Sequence, residues 1–267
     1  MRRSLPAIMA LTSLALAAGG CARNKIINVD NGNNLKSEPQ ESKQDEKRDA
    51  AQIHTQLGAQ LMERGELKDA DEKFKMAIQF DDSYEPAHTM LAILDERIKQ
   101  PQLAEQQYRR ALAIDPKNGD TNNNLGYFLC HHGRGNEGMQ YLQRALSDPF
   151  YKTPATADTN AGACLISMGN NAAAEPYLQK ALHADPDYPD GLYQMAQLLY
   201  AKNDAFRARA FLQRFEAQGT ATPDALLLGY RIESRLGDAD AARNYANRLR
   251  DQFPDSEQTQ KLGANPP

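Results

Sequence analysis

The sequence predicts an all-α protein, a superhelix of about six helical hairpins, on three observations. From Ala51 onward the chain resembles itself at a fixed period, with units starting near 51, 85, 119, 155, 189 and 223. Such self-similarity marks a stack of supersecondary units. The twentieth residue of every unit is Ala or Gly (Ala70, Ala104, Gly138, Ala174, Ala208, Ala242), which lets two helix backbones close on each other while the larger residue four later fills the next layer. Gly65, Gly133, Gly169 and Gly237 fall between the two helices of a unit, where a left-handed residue ends the first helix. Asp115-Pro116 and Asp185-Pro186 stop the second, because a residue before proline is pushed out of the α region. A coiled coil or a plain bundle lacks these punctuations.

From the start of the chain, residues 1–20 read as a secretory leader. Arg2 and Arg3 precede an apolar stretch from Leu5 to Ala18, and Gly19 and Gly20 lead into Cys21. The stretch is too short for a spanning helix, which needs about 20 apolar residues. Small residues directly before a cysteine resemble a bacterial lipobox, although Ala18 stands where that pattern usually has Leu. The resemblance implies that the Cys21 thiol takes a diacylglycerol, the leader is cut, and the new amino group is acylated. Two or three acyl chains make a stable anchor, whereas one holds only marginally at about 0.8 kcal/mol per buried CH2. Ala22, not Asp, implies sorting to the outer membrane, facing the periplasm. Ordinary cleavage after an alanine such as Ala18 is the other reading.

Losing the leader removes two arginines, so the formal charge falls from −4 to about −6, and nucleic acid is not an expected partner. A mean hydropathy of −0.68 indicates a hydrated protein whose Ala, Leu and Tyr still suffice for a helical core. Residues 21–48 then read as a lipid-anchored tether, with the joining of its last part to the first helix as the other reading. They hold five asparagines followed by a Glu/Lys/Gln/Asp-rich run from Lys36 to Asp49, with little apolar surface to offset ordering. Such a tether holds the folded part on the order of 30 Å from the membrane.

The repeats span 49–256. They resemble tetratricopeptide repeats (TPRs): Leu57-Gly58, Ala70, Phe74 and Ala77 recur as Leu91-Ala92, Ala104, Tyr108, Ala111 and Pro116, then as Leu125-Gly126, Gly138, Leu142 and Ala145. After a two-residue insertion near Pro149 to Pro154 come Ala161-Gly162, Ala174, Leu178 and Ala181. The fifth and sixth units read as degenerate, with Phe215 for a small residue and Tyr230 for Gly. Residues 257–267 read as a tail.

Nothing in the sequence supports catalysis, a cofactor or a metal. There is no G-x-S-x-G, H-E-x-x-H or phosphate-binding loop. His54 and His88 occupy a packing position, and the neighbouring His131 and His132 face different ways on a helix. Beyond Cys21, the two remaining thiols are Cys130 and Cys164, on equivalent first helices of adjacent repeats and in an oxidising compartment. A disulfide is expected, with two independent small core residues as the other reading.

The run Asn122-Asn123-Asn124-Leu125-Gly126-Tyr127-Phe128-Leu129-Cys130, with Gly133-Arg134 and Asn160-Ala161-Gly162-Ala163-Cys164 in the next repeat, resembles the type IV pilus biogenesis and stability lipoproteins, the PilF/PilW-type pilotins. The similarity extends to Ala104-Glu105-Gln106-Gln107-Tyr108-Arg109-Arg110 and Leu226-Leu227-Leu228-Gly229, and so over the whole mature chain. It implies binding to subunits of the outer-membrane secretin and help in their localisation and multimerisation, or in stabilising the fibre. Another TPR lipoprotein that scaffolds outer-membrane protein insertion or peptidoglycan enzymes is the runner-up, and an enzyme with accessory TPRs the remote one.

In a TPR superhelix the first helix of each repeat lines the concave surface through its second, fifth, ninth and twelfth positions. Those positions include Thr55, Ala59, Met62, Thr89, Ile93, Asn123, Tyr127 and Ile166, with Asn122 beside them. Met62, Ile93, Tyr127 and Ile166 are expected as apolar anchors, and Asn122 and Asn123 as donor and acceptor groups for a bound backbone. Packing between repeats is the other reading for Tyr127 and Ile166.

Overall fold

The computed structural model describes residues 42–219 and 221–263. Cys21, the leader and all but the end of the tether lie outside the described residues. Twelve helices pair as six antiparallel hairpins: α1 (Lys43–Glu63) with α2 (Leu67–Phe80), α3 (Glu85–Arg97) with α4 (Pro101–Ile114), α5 (Gly119–His131) with α6 (Gly135–Ser147), α7 (Pro154–Ser167) with α8 (Asn171–Ala184), α9 (Pro189–Ala201) with α10 (Ala205–Ala217), and α11 (Pro223–Leu236) with α12 (Ala239–Gln252). A short α13 (Glu257–Gly263) follows, and no strand occurs among the described residues.

The hairpins close as the small residues require. A Cβ on Gly58 would meet the Phe74 ring at 2.5 Å, one on Gly126 the Leu142 side chain at 2.7 Å, and one on Gly162 Leu178 at 2.6 Å, so any larger residue would push the paired helices apart. Ala70, Ala104, Ala174 and Ala208 are fully buried. Between the helices of every hairpin one residue has positive φ: Gly65, Lys99, Gly133, Gly169, Asn203 and Gly237. These sit at the same register in all six repeats, so the left-handed turn belongs to the architecture even where the residue is not glycine.

Two boundaries and one packing position differ from the sequence reading. The first helix starts within the expected tether, at Lys43, because Ser42 and Asp45 form a capping box: the Asp45 amide donates to Ser42 Oγ at 3.2 Å and the Ser42 amide to Asp45 Oδ2 at 3.1 Å. The expected tail contains α13, which docks through buried Leu262 and through Gln258 Nε2 donating to Asp224 Oδ1 at 2.7 Å. In the sixth repeat the small residue against the second helix is Gly229, whose Cβ would meet Tyr245 at 2.4 Å. Gly229 and Tyr245 keep the separation of Gly58 and Phe74, so Tyr230 does not replace a glycine.

The two-residue insertion lengthens the segment between α6 and α7, and its Tyr151 folds back over the start of α5, where a Cβ on Gly119 would lie 2.6 Å from the ring. Near the other ends of the same helices, Cys130 on α5 and Cys164 on α7 form a disulfide, with Cα atoms 5.4 Å apart. The preceding junction is polar. Thr89 and Thr121 each donate to the buried Glu85 Oε1, at 2.6 and 2.5 Å, and Asn118 Nδ2 donates to Oε2 at 3.3 Å.

Candidate functional site

The first helices lie on the inside of the curve. Along the array α1 touches α3, α5 touches α7, α7 touches α9 and α9 touches α11, whereas the second helices make no comparable approach to one another. Side chains on first helices that turn away from their own second helix therefore face a shared inner surface.

Tyr127 is the most prominent of these, 41% exposed, with its ring against that of His131 at 3.9 Å. Partial burial pushes its phenol pKa up, and the carboxylates of Glu96 on α3 and Asp190 on α9 push it further. The curvature thus brings groups from the second and fifth repeats within electrostatic reach of the third. Ile93 and Ile166 are half-buried, each packed against a core cluster. Met62 is also half-buried, against the cluster around Phe74 and Leu91, and the Arg97 guanidinium donates to its backbone carbonyl at 2.8 Å.

The asparagines divide. Asn160 Nδ2 donates to Asn123 Oδ1 at 2.9 Å, and Asn123 Nδ2 to Asn124 Oδ1 at 3.3 Å, a chain of amides across two repeats along the inner face. Asn122 corrects the sequence expectation. It is 1% exposed, and its Nδ2 donates to the carbonyls of Pro116 and Asn118 at 3.0 and 2.8 Å, because the fourth position of a first helix faces the preceding repeat. Asn122 therefore secures the repeat junction and does not line the groove, and Asn123, 6% exposed with its oxygen and nitrogen both bonded to neighbouring amides, is not open to a bound backbone either.

Sequence reasoning missed the continuation of this surface on α9. Tyr193, Gln197 and Tyr200 occupy the fifth, ninth and twelfth positions there, Gln197 Nε2 donates to the Tyr193 hydroxyl at 2.7 Å, and the Arg235 guanidinium stacks 4.0 Å over the Tyr200 ring. Burial, with the Asp224 carboxylate behind it, pushes the Tyr193 phenol up to about 12. The positional rule that selects Tyr127 also selects these three residues.

Histidine side chains are engaged within the chain. His88 bonds Gln107 Oε1 at 2.8 Å and the Asp82 carbonyl at 3.1 Å, and His131 and His132 bond carbonyls of their own helix at 3.0 and 2.8 Å. Among the described residues no three His, Cys, Asp or Glu side chains converge as metal ligands would, and no helix is long and apolar enough to cross a membrane. The arrangement suits recognition of a polypeptide: aromatic and aliphatic anchors with amide edges, laid along a curve.

Comparison with known proteins agrees with this geometry. Tetratricopeptide-repeat models match residues 107–139 and 165–228. The chain is 33% identical over 220 residues to the type IV pilus assembly protein PilF of Pseudomonas aeruginosa, covering 82% of this chain and 86% of that one. The crystal structure of PilW, a widely conserved type IV pilus biogenesis factor, superposes with a TM-score of 0.74 at 32% identity, over 79% of this chain and 97% of PilW. The structure of Pseudomonas aeruginosa PilF gives 0.71 at 32% identity, over 83% and 98%. With its six hairpins, its inner aromatic surface and this extent of shared sequence, the chain belongs to the family of type IV pilus biogenesis tetratricopeptide-repeat proteins.

Proposed function

We propose that this protein is an outer-membrane-anchored scaffold, not an enzyme, that binds secretin subunits of the type IV pilus and promotes their localisation and multimerisation. Its anchor is lipid on Cys21, and its docking surface is the inner face around Ile93, Tyr127 and Ile166. The observation that carries this reading is the set of half-buried to exposed apolar side chains on first helices, Ile93, Tyr127 and Ile166, with the Asn160, Asn123 and Asn124 amides bonded to one another between the third and fourth repeats, in a chain of the pilus biogenesis family.

The test is complementation of a deletion strain, reading SDS-resistant secretin multimers and surface pili. Ile93→Asp and Tyr127→Ala, with unchanged circular dichroism and melting, are expected to weaken secretin binding by about 1 kcal/mol or more, as for an interface anchor. Unchanged affinity for both variants, with affinity lost from substitutions on the second helices, moves the site to the outer face and overturns the assignment.

A further inference from the structure

We infer that α1 is a self-association helix, pairing antiparallel with α1 of a second copy of this chain. At every later repeat the outward face of the first helix is covered by the repeat before it. The seventh position shows this: Leu91, Leu125, Ala161 and Met195 are buried, whereas Leu57 is 38% exposed and Ile53, one turn earlier, is 62% exposed. The face that makes each internal junction is therefore open on α1. In addition, α1 has 21 residues where the other first helices have 13 or 14, and its first two turns project beyond the hairpin with Lys43–Asp49 exposed.

The residues on that open face are spaced as a pairing seam. Glu46, Ala50, Ile53, Leu57, Gln60 and Arg64 follow one another at alternating steps of four and three along α1 and its C-cap, the spacing that keeps one stripe facing a partner helix. A two-fold axis beside Thr55 places Ile53 opposite Leu57, Ala50 opposite Gln60 and, at each end, Glu46 opposite Arg64 of the second copy. Glu46 and Arg64 make no ion pair among the described residues, so both charges are available. A parallel pair would instead set Glu46 against Glu46 and Arg64 against Arg64. Charge thus selects the second copy in one orientation, while Thr55, Gly58 and Met62 on the opposite side stay committed to the hairpin. The stripe is short, so the association is weak and rises with local concentration, as on a shared membrane surface.

The test uses the full chain in cells. An Ala50→Cys/Gln60→Cys variant is oxidised and run on a non-reducing gel beside each single-cysteine variant; within one helix the two thiols lie about 15 Å apart and do not bridge, and a parallel pair would cross-link either single variant to itself, so a covalent dimer from the double variant with none from the single ones reports antiparallel pairing. The dimer is expected, and is expected to disappear when Ile53→Asp is added. Sedimentation of the purified full chain should show Glu46→Arg raising the dimer dissociation constant roughly tenfold, with Glu46→Arg/Arg64→Glu restoring it. Only monomer at every concentration reached, a dimer indifferent to Ile53→Asp, cross-linking to a different protein instead, or no rescue by the double exchange each overturns the inference. Secretin assembly is not read in these assays, so the docking proposal and this one fail separately.

Discussion

Removing the Cys130–Cys164 bond, as the double alanine variant, should cost more than its two sulfur atoms suggest. The bond closes a loop of 34 residues, and the chain-entropy relation gives a loop of that length roughly 3.7 kcal/mol of stabilisation at 25 °C. Residual structure in the unfolded chain lowers that figure, and lost packing of two buried side chains raises it slightly, so a loss of about 2 to 4 kcal/mol is expected. In a linear array this loss falls on one junction, between α5 and α7, and not on the whole. Urea unfolding followed by circular dichroism should therefore shift to lower midpoint by about 1 M or more, and amide exchange should accelerate most in α5 to α8. Wild-type protein under reductant should match the variant. A loss below about 0.5 kcal/mol, or two titratable thiols in denatured, unreduced protein from the periplasm, refutes the reasoning.

Lys99 holds a left-handed φ of 60° where four of the six repeats have glycine, so Lys99→Gly should raise stability by about 0.5 to 1 kcal/mol in thermal melts, the relief of strain exceeding the added chain entropy. Burial, with the Asp71 carboxylate nearby, raises the Asp95 carboxyl from 3.8 to about 6. The folded protein therefore holds that proton more tightly than the unfolded chain. The resulting stabilisation is complete below about pH 4 and is lost as pH rises through about 6, on the order of 3 kcal/mol in all. Asp95→Asn should flatten this dependence and be the more stable form at pH 8, as measured by denaturant midpoints at pH 4, 6 and 8. Cys21→Ser should leave a soluble or unprocessed protein whose repeats still fold and whose secretin assembly is reduced; wild-type protein without fatty acid in the periplasm contradicts the anchor.

Most of the architecture was legible because it rests on positions that admit few residue types. Ala or Gly at the twentieth position and a left-handed turn before it fix each hairpin; the first is visible as a letter in all six repeats, the second only in the four that carry glycine, not at Lys99 and Asn203. Where two letters compete, the reading slipped. Gly229 and Tyr230 are adjacent, and only the approach of Tyr245 shows which one faces the second helix. Asn122 and Asn123 look alike in sequence and both are buried, yet a rotation of one residue turns the first to the carbonyls of Pro116 and Asn118 and the second to the amides of Asn124 and Asn160. The ends were hidden for another reason. Ser42 with Asp45, and Leu262 alone, are too little pattern to announce a helix without the neighbours that hold it.

The disulfide between α5 and α7 also has a mechanical meaning. A superhelix in which each hairpin touches only its neighbours behaves as a spring, lengthening under load by opening one step after another. The covalent rivet stiffens the step between the third and fourth repeats, while the step before it is closed by Glu85 with the hydroxyls of Thr89 and Thr121. Under traction from a moving fibre or a tethered partner, the outer turns are expected to yield first, leaving the stretch that carries Tyr127 and Ile166 as the last to lose its shape.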